Sequence, residues 1–265
     1  MKAKINGIEL AYELSGPEGG AAVVLHHPLA TNHSFWDDLT ARLSSRFRVL
    51  RFDARGHGQS EAPRGPYAFE TLAGDVLGLM DHVAIANACF LGLSMGGMVG
   101  QMLGLEHAHR FSSLILASTT SRVPPEFGAI WDERIKTVRE RGMASQVEES
   151  MPRWVSPQAI ASGHGAIPGL KAMIRNTPPE GYCGWAGAIR TLDITDRLKA
   201  IRLPTLVVVG ELDPSTPVAA SQTIARAIPG SELVIMKGVA HMMSSEVPEE
   251  FHAHVRPFLE RHGSA

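Results

Sequence analysis

Ser94 is the residue whose surroundings most clearly indicate chemistry. It lies in Gly92-Leu93-Ser94-Met95-Gly96, after the apolar run Ala88–Leu91 and before a stretch with helical spacing. A Gly-x-Ser-x-Gly turn between a strand and a helix holds its serine in a strained conformation with the hydroxyl exposed. We therefore predict that Ser94 is a nucleophile. The alternative is a glycine-rich turn that matches by chance among 26 glycines, and the flanking strand and helix disfavour it.

A serine hydroxyl is a weak nucleophile at neutral pH, so it needs a histidine base and a carboxylate that orients this base. Asp213 follows the apolar run Thr205–Val209, and His241 follows the last predicted strand. The order Ser, Asp, His is typical of strand–turn–helix hydrolases. Glu211 is the rival carboxylate, and we assign it to a solvated loop. We interpret His57 as a hydrogen-bonded structural residue, as lone loop histidines usually are.

Three histidines occur in the stretch LHHPLATNHSFW, residues 25–36, and raise the question of a metal site. Sequence-close histidines seldom complete a tetrahedral site alone, and no second ligand cluster appears elsewhere, so we predict neither metal nor cofactor. This loop instead follows the third strand, where such hydrolases place one oxyanion donor. The predicted donors are the backbone N–H groups of Leu29 and Met95, the latter at a helix N-terminus. Pro28 has no N–H and stiffens the loop.

The elements that must position these residues alternate between apolar runs and helix-length segments. Asn6-Gly7 favours a two-residue hairpin turn at the start of the chain. Continuous apolar runs, typical of parallel strands covered on both faces, follow at Ala21–Leu25, Phe47–Phe52, Ala88–Leu91, Ser113–Ala117, Thr205–Val209 and Glu232–Met236. The alternation lapses between about 120 and 190, where Trp131–Gly142 reads as a helix. We predict an α/β core of residues 1–119 and 192–265, with a helical cap of residues 120–191.

Composition excludes several classes of function. The 265 residues are 44% hydrophobic and 20% charged, as in ordinary globular proteins, and the formal charge is −2 without a basic stripe. Nucleic acid is therefore not an expected partner. Neither a signal peptide nor a membrane span is recognisable, so we expect a soluble, cytoplasmic protein. The two cysteines, Cys89 and Cys183, are unrelated in spacing, and we predict two buried free thiols.

The chain resembles the α/β-hydrolase superfamily over nearly its whole length, and more closely the 3-oxoadipate enol-lactonases of bacterial aromatic catabolism (the β-ketoadipate pathway). The stretches that carry this resemblance are FRVLRFDARGHGQS (47–60), GLSMGGMVGQ (92–101), WDERI (131–135), RW (153–154) and PPEGY (178–182). The resemblance implies a mostly parallel eight-stranded sheet with helices on both faces. It also implies a catalytic triad of Ser94, Asp213 and His241, and a substrate held by the cap.

The small-molecule substrate that this resemblance implies carries a free carboxylate, which calls for a cation in the pocket. Arg134 is our first candidate for this cation. The alternative, to which we give equal weight, is that Arg134 is an exposed residue on a solvated helix face. Trp131 and Trp154 would form apolar walls. Arg153 is less favoured because it could simply be a surface residue.

One loop departs from the resemblance, and other functions stay open. The enol-lactonases tend to carry Asn-Ser-Leu-Gly where this chain has His27-Pro28-Leu29-Ala30, which brings bulkier groups near the acyl site. The alternatives are a broad-range carboxylesterase or lactonase, a cofactor-free perhydrolase and, from a different class, a small-molecule receptor with little turnover. Ser94 in place of an aspartate argues against dehalogenase and epoxide hydrolase chemistry.

Overall fold

One eight-stranded sheet organises the molecule, in a computed structural model that describes residues 1–263. Its strands are β1 (Lys2–Ile5), β2 (Ile8–Ser15), β3 (Ala22–His26), β4 (Arg48–Phe52), β5 (Ala88–Leu93), β6 (Phe111–Ala117), β7 (Thr205–Gly210) and β8 (Glu232–Met236). Their spatial order is β1-β2-β4-β3-β5-β6-β7-β8. The pairs β1–β2 and β2–β4 are antiparallel, and all other neighbours are parallel. The predicted mostly parallel eight-stranded sheet is confirmed.

The first two strands form the hairpin that Asn6-Gly7 predicts. Asn6 and Gly7 both adopt positive φ angles, of 46° and 81°. Two successive residues with positive φ give the turn whose twist matches that of paired strands. The register pairs Ile5 with Ile8 directly across the turn.

Eleven α-helices are described within residues 1–263. They are α1 (Asp37–Leu43), α2 (Phe69–His82), α3 (Met95–Glu106), α4 (Gly128–Arg141), α5 (Val147–Trp154), α6 (Pro157–Ser162), α7 (Ala166–Asn176), α8 (Pro179–Arg190), α9 (Val218–Ala227), α10 (Met243–Glu246) and α11 (Pro248–His262). The helices α4 to α8 all lie between β6 and β7, within the predicted cap. The division of the chain at residues 120 and 191 stays a prediction, and residues 264 and 265 of the predicted core lie outside the described part.

The helix predicted over residues 131–142 is α4, which begins three residues earlier, at Gly128. It ends at Arg141 because Gly142 turns the chain with a φ of 71°. A positive φ directly after the last helical residue is a common way to end a helix, and glycine adopts it without steric cost.

Two apolar clusters cover the two faces of the sheet, with Phe90 in one and Leu91 in the other. All six residues of β5 and all six of β7 are buried, as their unbroken apolar runs predict. The carboxyl ends of these central strands are thereby fixed at one edge of the sheet, which is where ligands bind in open α/β sheets.

Two smaller observations concern the cysteines and the membrane. Cys89 is buried and free, whereas Cys183 is free but only half-buried, so the prediction of two buried thiols is wrong for Cys183. Cys183 lies on α8, and the buried face of this helix contains Tyr182 and Trp185 but not Cys183. Among the helices of residues 1–263, none combines the length and the apolar character that crossing a membrane requires.

Candidate active site

Ser94 occupies a strained turn between β5 and α3. Its φ and ψ are 56° and −113°, a region that non-glycine residues rarely adopt. A Cβ atom on Gly92 would lie 2.2 Å from the Gly96 carbonyl carbon, and one on Gly96 would lie 2.3 Å from the His26 carbonyl oxygen. Larger residues at these two positions would therefore push the strand and helix apart. The Ser94 N–H donates to the Ala117 carbonyl at 2.8 Å, which anchors the turn to the neighbouring strand.

His241 and Asp213 form a buried hydrogen-bonded pair. The distance from His241 Nδ1 to Asp213 Oδ2 is 2.7 Å, and both side chains are almost wholly buried. Because the carboxylate accepts, Nδ1 carries a proton, and Nε2 has no hydrogen-bond partner among residues 1–263. Asp213 also accepts from the backbone N–H groups of Ser215 and Thr216 and from the Thr216 hydroxyl, at 2.8, 3.0 and 2.8 Å.

These contacts keep Asp213 ionised. Burial raises the pKa of this carboxyl, but the charge of His241 and the bonds donated by His241 and Thr216 outweigh burial, so its pKa lies below the ordinary value. An ionised Asp213 stabilises the charged form of the His241 ring that proton uptake creates.

A cavity of about 890 Å³ brings Ser94 and His241 together. The cavity lies between the carboxyl edge of the sheet and the helices that follow β6, and its volume is at the upper end of the range for drug-sized ligands. Within residues 1–263 the Ser94 hydroxyl has no hydrogen-bond partner. Such bonds often shorten only when substrate binds, so the missing bond does not exclude His241 as the partner of Ser94.

The two predicted oxyanion donors flank this serine. Leu29 lines the cavity in the loop after β3, and Met95 is the first residue of α3. Neither backbone N–H donates to another group among the described residues. Both are therefore available to a ligand oxygen, and Met95 adds the positive end of a helix dipole.

The opposite wall of the cavity comes from α4, α5 and α8. It includes the predicted residues Trp131, Arg134 and Trp154, together with Arg153 and Tyr182. The Arg134 guanidinium lies over the Trp131 ring, 5.0 Å from its centroid. Arg134 is half-buried and lines the cavity, which favours the first candidate role over an exposed arginine on a solvated helix face.

Arg153, the less favoured candidate, also lines the cavity and is half-buried, so it is not simply a surface residue. Its guanidinium donates to the Glu149 carbonyl at 3.0 Å and to the Ser150 hydroxyl at 3.2 Å. Burial and then the nearby charge of Arg134 lower the pKa of Arg153 to about 10. Within the described residues neither arginine has a carboxylate partner, so the pair concentrates positive charge at this wall.

The three histidines of residues 25–36 have separate partners. His27 Nδ1 lies 2.8 Å from the Pro28 carbonyl oxygen, and His33 Nδ1 lies 2.7 Å from Asp53 Oδ1. His26 Nδ1 lies 3.0 Å from the His27 carbonyl oxygen. No group of three or more His, Cys, Asp or Glu side chains in residues 1–263 is arranged to hold a metal ion.

The two less favoured candidates lie elsewhere. Glu211 accepts from the Gly238 N–H at 3.0 Å in an exposed loop, away from His241. His57 is fully buried, and its Nε2 accepts from the Ala30 N–H at 3.1 Å. The interpretation of His57 as a hydrogen-bonded structural residue therefore agrees with its contacts.

Residues 21–248 match the family described as the alpha/beta hydrolase fold. The chain belongs to this family. An α/β-hydrolase named 3-oxoadipate enol-lactonase 2, from Acinetobacter baylyi, is 32% identical over 96% of this chain and 94% of its own length. The crystal structure of the enol-lactonase from Burkholderia xenovorans LB400 is 36% identical, covers 98% of this chain and all of its own, and superposes with a TM-score of 0.94. A thermophilic esterase from Thermogutta terrifontis is 31% identical, with a TM-score of 0.93 and coverage of 100% and 99%.

These relatives support a hydrolase and agree with the resemblance found in the sequence. Two features of this α/β-hydrolase site escaped sequence reasoning. Thr216, which holds Asp213, was detectable, since Asp213-Pro214-Ser215-Thr216 has the composition of a turn in which an aspartate accepts from the backbone two residues later. The position of Arg153 had no such signal, because the packing of α5 decides which of its faces meets the cavity.

Proposed function

We propose that this protein is a serine hydrolase that opens a lactone or ester through an acyl-enzyme, with 3-oxoadipate enol-lactone as the favoured substrate. The observation that carries the proposal is that His241, oriented by Asp213 at 2.7 Å, shares one cavity with the strained Ser94. This arrangement supplies a nucleophile, a base of defined tautomer and a buried carboxylate. The similarity to enol-lactonases supports the choice of substrate.

In the proposed first step, Ser94 Oγ attacks the lactone carbonyl while its proton moves to His241 Nε2. The carbonyl electron pair moves to oxygen, and this oxyanion accepts from the N–H groups of Leu29 and Met95. When the carbonyl re-forms, the ring C–O bond breaks and the departing enol oxygen takes the proton from His241.

In the second step, His241 removes a proton from water as the water attacks the acyl-enzyme. The tetrahedral intermediate then collapses, the Ser94 C–O bond breaks, and Ser94 recovers its proton. The product is a single molecule that carries both the new carboxylic acid and an enol, which tautomerises to the ketone, and the mechanism uses no cofactor.

The positive wall of the cavity supports a substrate with a carboxylate remote from the reacting carbonyl. Arg134 and Arg153 place two guanidinium groups at this wall, and neither forms an ion pair with a carboxylate among the described residues. A guanidinium that pairs with a carboxylate forms short, charge-assisted hydrogen bonds. The Arg134 guanidinium packs on the face of the Trp131 ring, which holds it in place, and Trp154 supplies an apolar surface.

The experiment compares hydrolysis of 3-oxoadipate enol-lactone with that of a neutral short-chain aryl ester. We expect the wild type to prefer the lactone, and Ser94→Ala to abolish turnover of both. Arg134→Ala should raise KM for the lactone by about 10- to 100-fold, because a hydrogen bond to a charged group contributes roughly 1.5–3 kcal/mol, and should spare the neutral ester. Arg141→Ala, an exposed arginine at the end of the same helix, is the control. Equal effects of Arg134→Ala on both substrates would remove Arg134 from this role.

A second candidate substrate class is a neutral carboxylic ester. The size of the cavity favours it, since about 890 Å³ is more than a small lactone requires. Two exposed apolar residues, Phe127 and Ile130, also line the cavity, and they would suit a longer acyl or aryl group. Cleavage of the aryl ester without the lactone would establish this alternative, and no turnover of either would favour a receptor.

A further inference from the structure

The loop that carries Leu29 is held by two buried imidazoles. His27 Nδ1 lies 2.8 Å from the Pro28 carbonyl oxygen, and His57 Nε2 lies 3.1 Å from the Ala30 nitrogen. These two contacts fall on the residues directly before and after Leu29. Each ring therefore contacts one of the two peptide groups on either side of the Leu29 Cα atom, and the first of these groups contains the proposed oxyanion donor, the Leu29 N–H.

Both rings also reach the loop after β4. His27 Nε2 accepts from the Ala54 N–H at 3.0 Å, and His57 Nδ1 lies 3.3 Å from the Arg55 carbonyl oxygen. A backbone N–H can only donate and a carbonyl can only accept, so these contacts fix the tautomers. In both rings Nδ1 carries the proton and Nε2 is the acceptor. His27 and His57 thus form two parallel bridges between residues 28–30 and residues 54–55.

Because the peptide bond is planar, anchoring the Pro28 carbonyl also fixes the direction of the Leu29 N–H. The Pro28–Leu29 peptide is trans, so the Pro28 carbonyl and the Leu29 N–H point in opposite directions within the peptide plane. The carbonyl accepts from His27 and from the Thr31 hydroxyl, both at 2.8 Å, in the buried interior. The Leu29 N–H is consequently turned away from that interior.

The next peptide bond is held in the same manner from the other side. Ala30 has a φ of 60°, which side chains larger than hydrogen rarely adopt, so this loop conformation needs outside support. The bond from the Ala30 N–H to His57 supplies it. No charge disturbs the bridge, because burial lowers the pKa of His57 to about 4 and the ring stays neutral at pH 7.

We propose that His27 and His57 are positioning residues of the oxyanion hole, which together fix the direction of the Leu29 N–H. The proposal rests on the proposed function, since that function makes Leu29 an oxyanion donor. It also accounts for the histidine at position 27, where the chain departs from the loop sequence typical of the enol-lactonases it resembles.

The kinetic test uses His57→Leu, which removes the acceptor, and His57→Gln, whose side-chain oxygen can replace Nε2. We expect His57→Leu to lower kcat for the neutral aryl ester by about 100-fold with KM changed less than about threefold, as for loss of one oxyanion donor. His57→Gln should retain kcat within about tenfold of the wild type. His109→Gln, an exposed histidine at the amino edge of the sheet, should leave both constants unchanged.

A folded His57→Leu variant with kcat within about threefold of the wild type would overturn the proposal, because one oxyanion donor contributes far more. Equal losses in His57→Leu and His57→Gln would do the same, since they would show that the acceptor atom is irrelevant.

A second readout is independent of turnover and of the folding of the variants. Nitrogen-15 NMR of the histidine-labelled wild type at pH 7 should show the His27 and His57 rings neutral, with the proton on Nδ1. A proton on Nε2, or a charged ring, would overturn the bridges. If the wild type lacks Ser94-dependent turnover, the proposed function fails, and this NMR result decides the histidine bridges separately.

Discussion

Lowering the pH from 7 to 5 should strongly destabilise this protein because of its buried histidines. His26, His27 and His57 are at most 1% exposed, and each ring is committed to backbone hydrogen bonds. Burial lowers the pKa of His26 to about 3 and that of His57 to about 4. Burial, followed by the neighbouring His57 ring, also holds the pKa of His27 far below its ordinary value.

The sign follows from which state binds more protons. In the unfolded chain these rings ionise near pH 6.5, whereas in the folded protein they stay neutral until about pH 4. Between these values the unfolded state takes up protons that the folded state does not, so stability falls as the pH falls. His33 acts oppositely, since its bond to Asp53 raises its pKa, but below pH 6 it is protonated in both states and adds no slope.

Three such protons correspond to a loss of about 4 kcal/mol in the free energy of unfolding per pH unit between pH 6 and 5, at about 1.4 kcal/mol per proton. Because domains of this kind are stable by roughly 5–15 kcal/mol, this loss is a large share of the total. Asp213, whose pKa is lowered, loses its contribution only below about pH 4, where the unfolded carboxyl is protonated.

The assay is urea unfolding at pH 7, 6 and 5, followed by tryptophan fluorescence, to which the fully buried Trp36 and Trp185 contribute. His57→Gln should reduce the slope by about one third, because one of the three protons is removed, and the exposed His109→Gln should leave it unchanged. A wild-type slope below about 1.4 kcal/mol per pH unit would refute the reasoning, since fewer than one proton would then separate the two states.

Three further predictions concern the site and its support. Asp213→Asn should lower kcat by about 10⁴-fold by favouring the wrong tautomer of His241, and a loss below about tenfold would contradict this role. Thr216→Val should lower kcat by about tenfold in the same assay, because it removes the hydroxyl that donates to Asp213 at 2.8 Å, and an unchanged kcat would count against it. Gly96→Ala should destabilise the protein by about 3 kcal/mol in urea unfolding, since its Cβ would meet the His26 carbonyl, whereas Gly187→Ala, with no atom within 4 Å, should stabilise α8 by up to about 1 kcal/mol. Similar stabilities for these two glycine variants would refute the steric argument.

The sheet and the turn at Ser94 were predictable because their signals are local. The burial of β5 and β7 follows from their continuous apolar runs, and the strain at Ser94 follows from Gly92 and Gly96. Residues at the carboxyl ends of parallel strands must converge, so the sequence also indicates that Asp213 meets His241.

The rest of the site depends on packing between distant segments. The bridges from His27 to Ala54 and from His57 to Ala30 each join residues 27 positions apart, and no pattern within either loop specifies them. The position of Arg153 is set by how α5 packs on its neighbours. Sequence spacing could not distinguish a cavity wall from a surface at this residue.

Reaction with a fluorophosphonate tests the central claim most directly, because this reagent phosphonylates an activated serine whatever the natural substrate is. The account predicts one phosphonyl group per chain, located by peptide mass spectrometry on Ser94, with loss of ester hydrolysis in parallel. Ser94→Ala should take up none and remain inactive. Labelling at another residue, or hydrolysis by Ser94→Ala at the wild-type rate, would contradict the account.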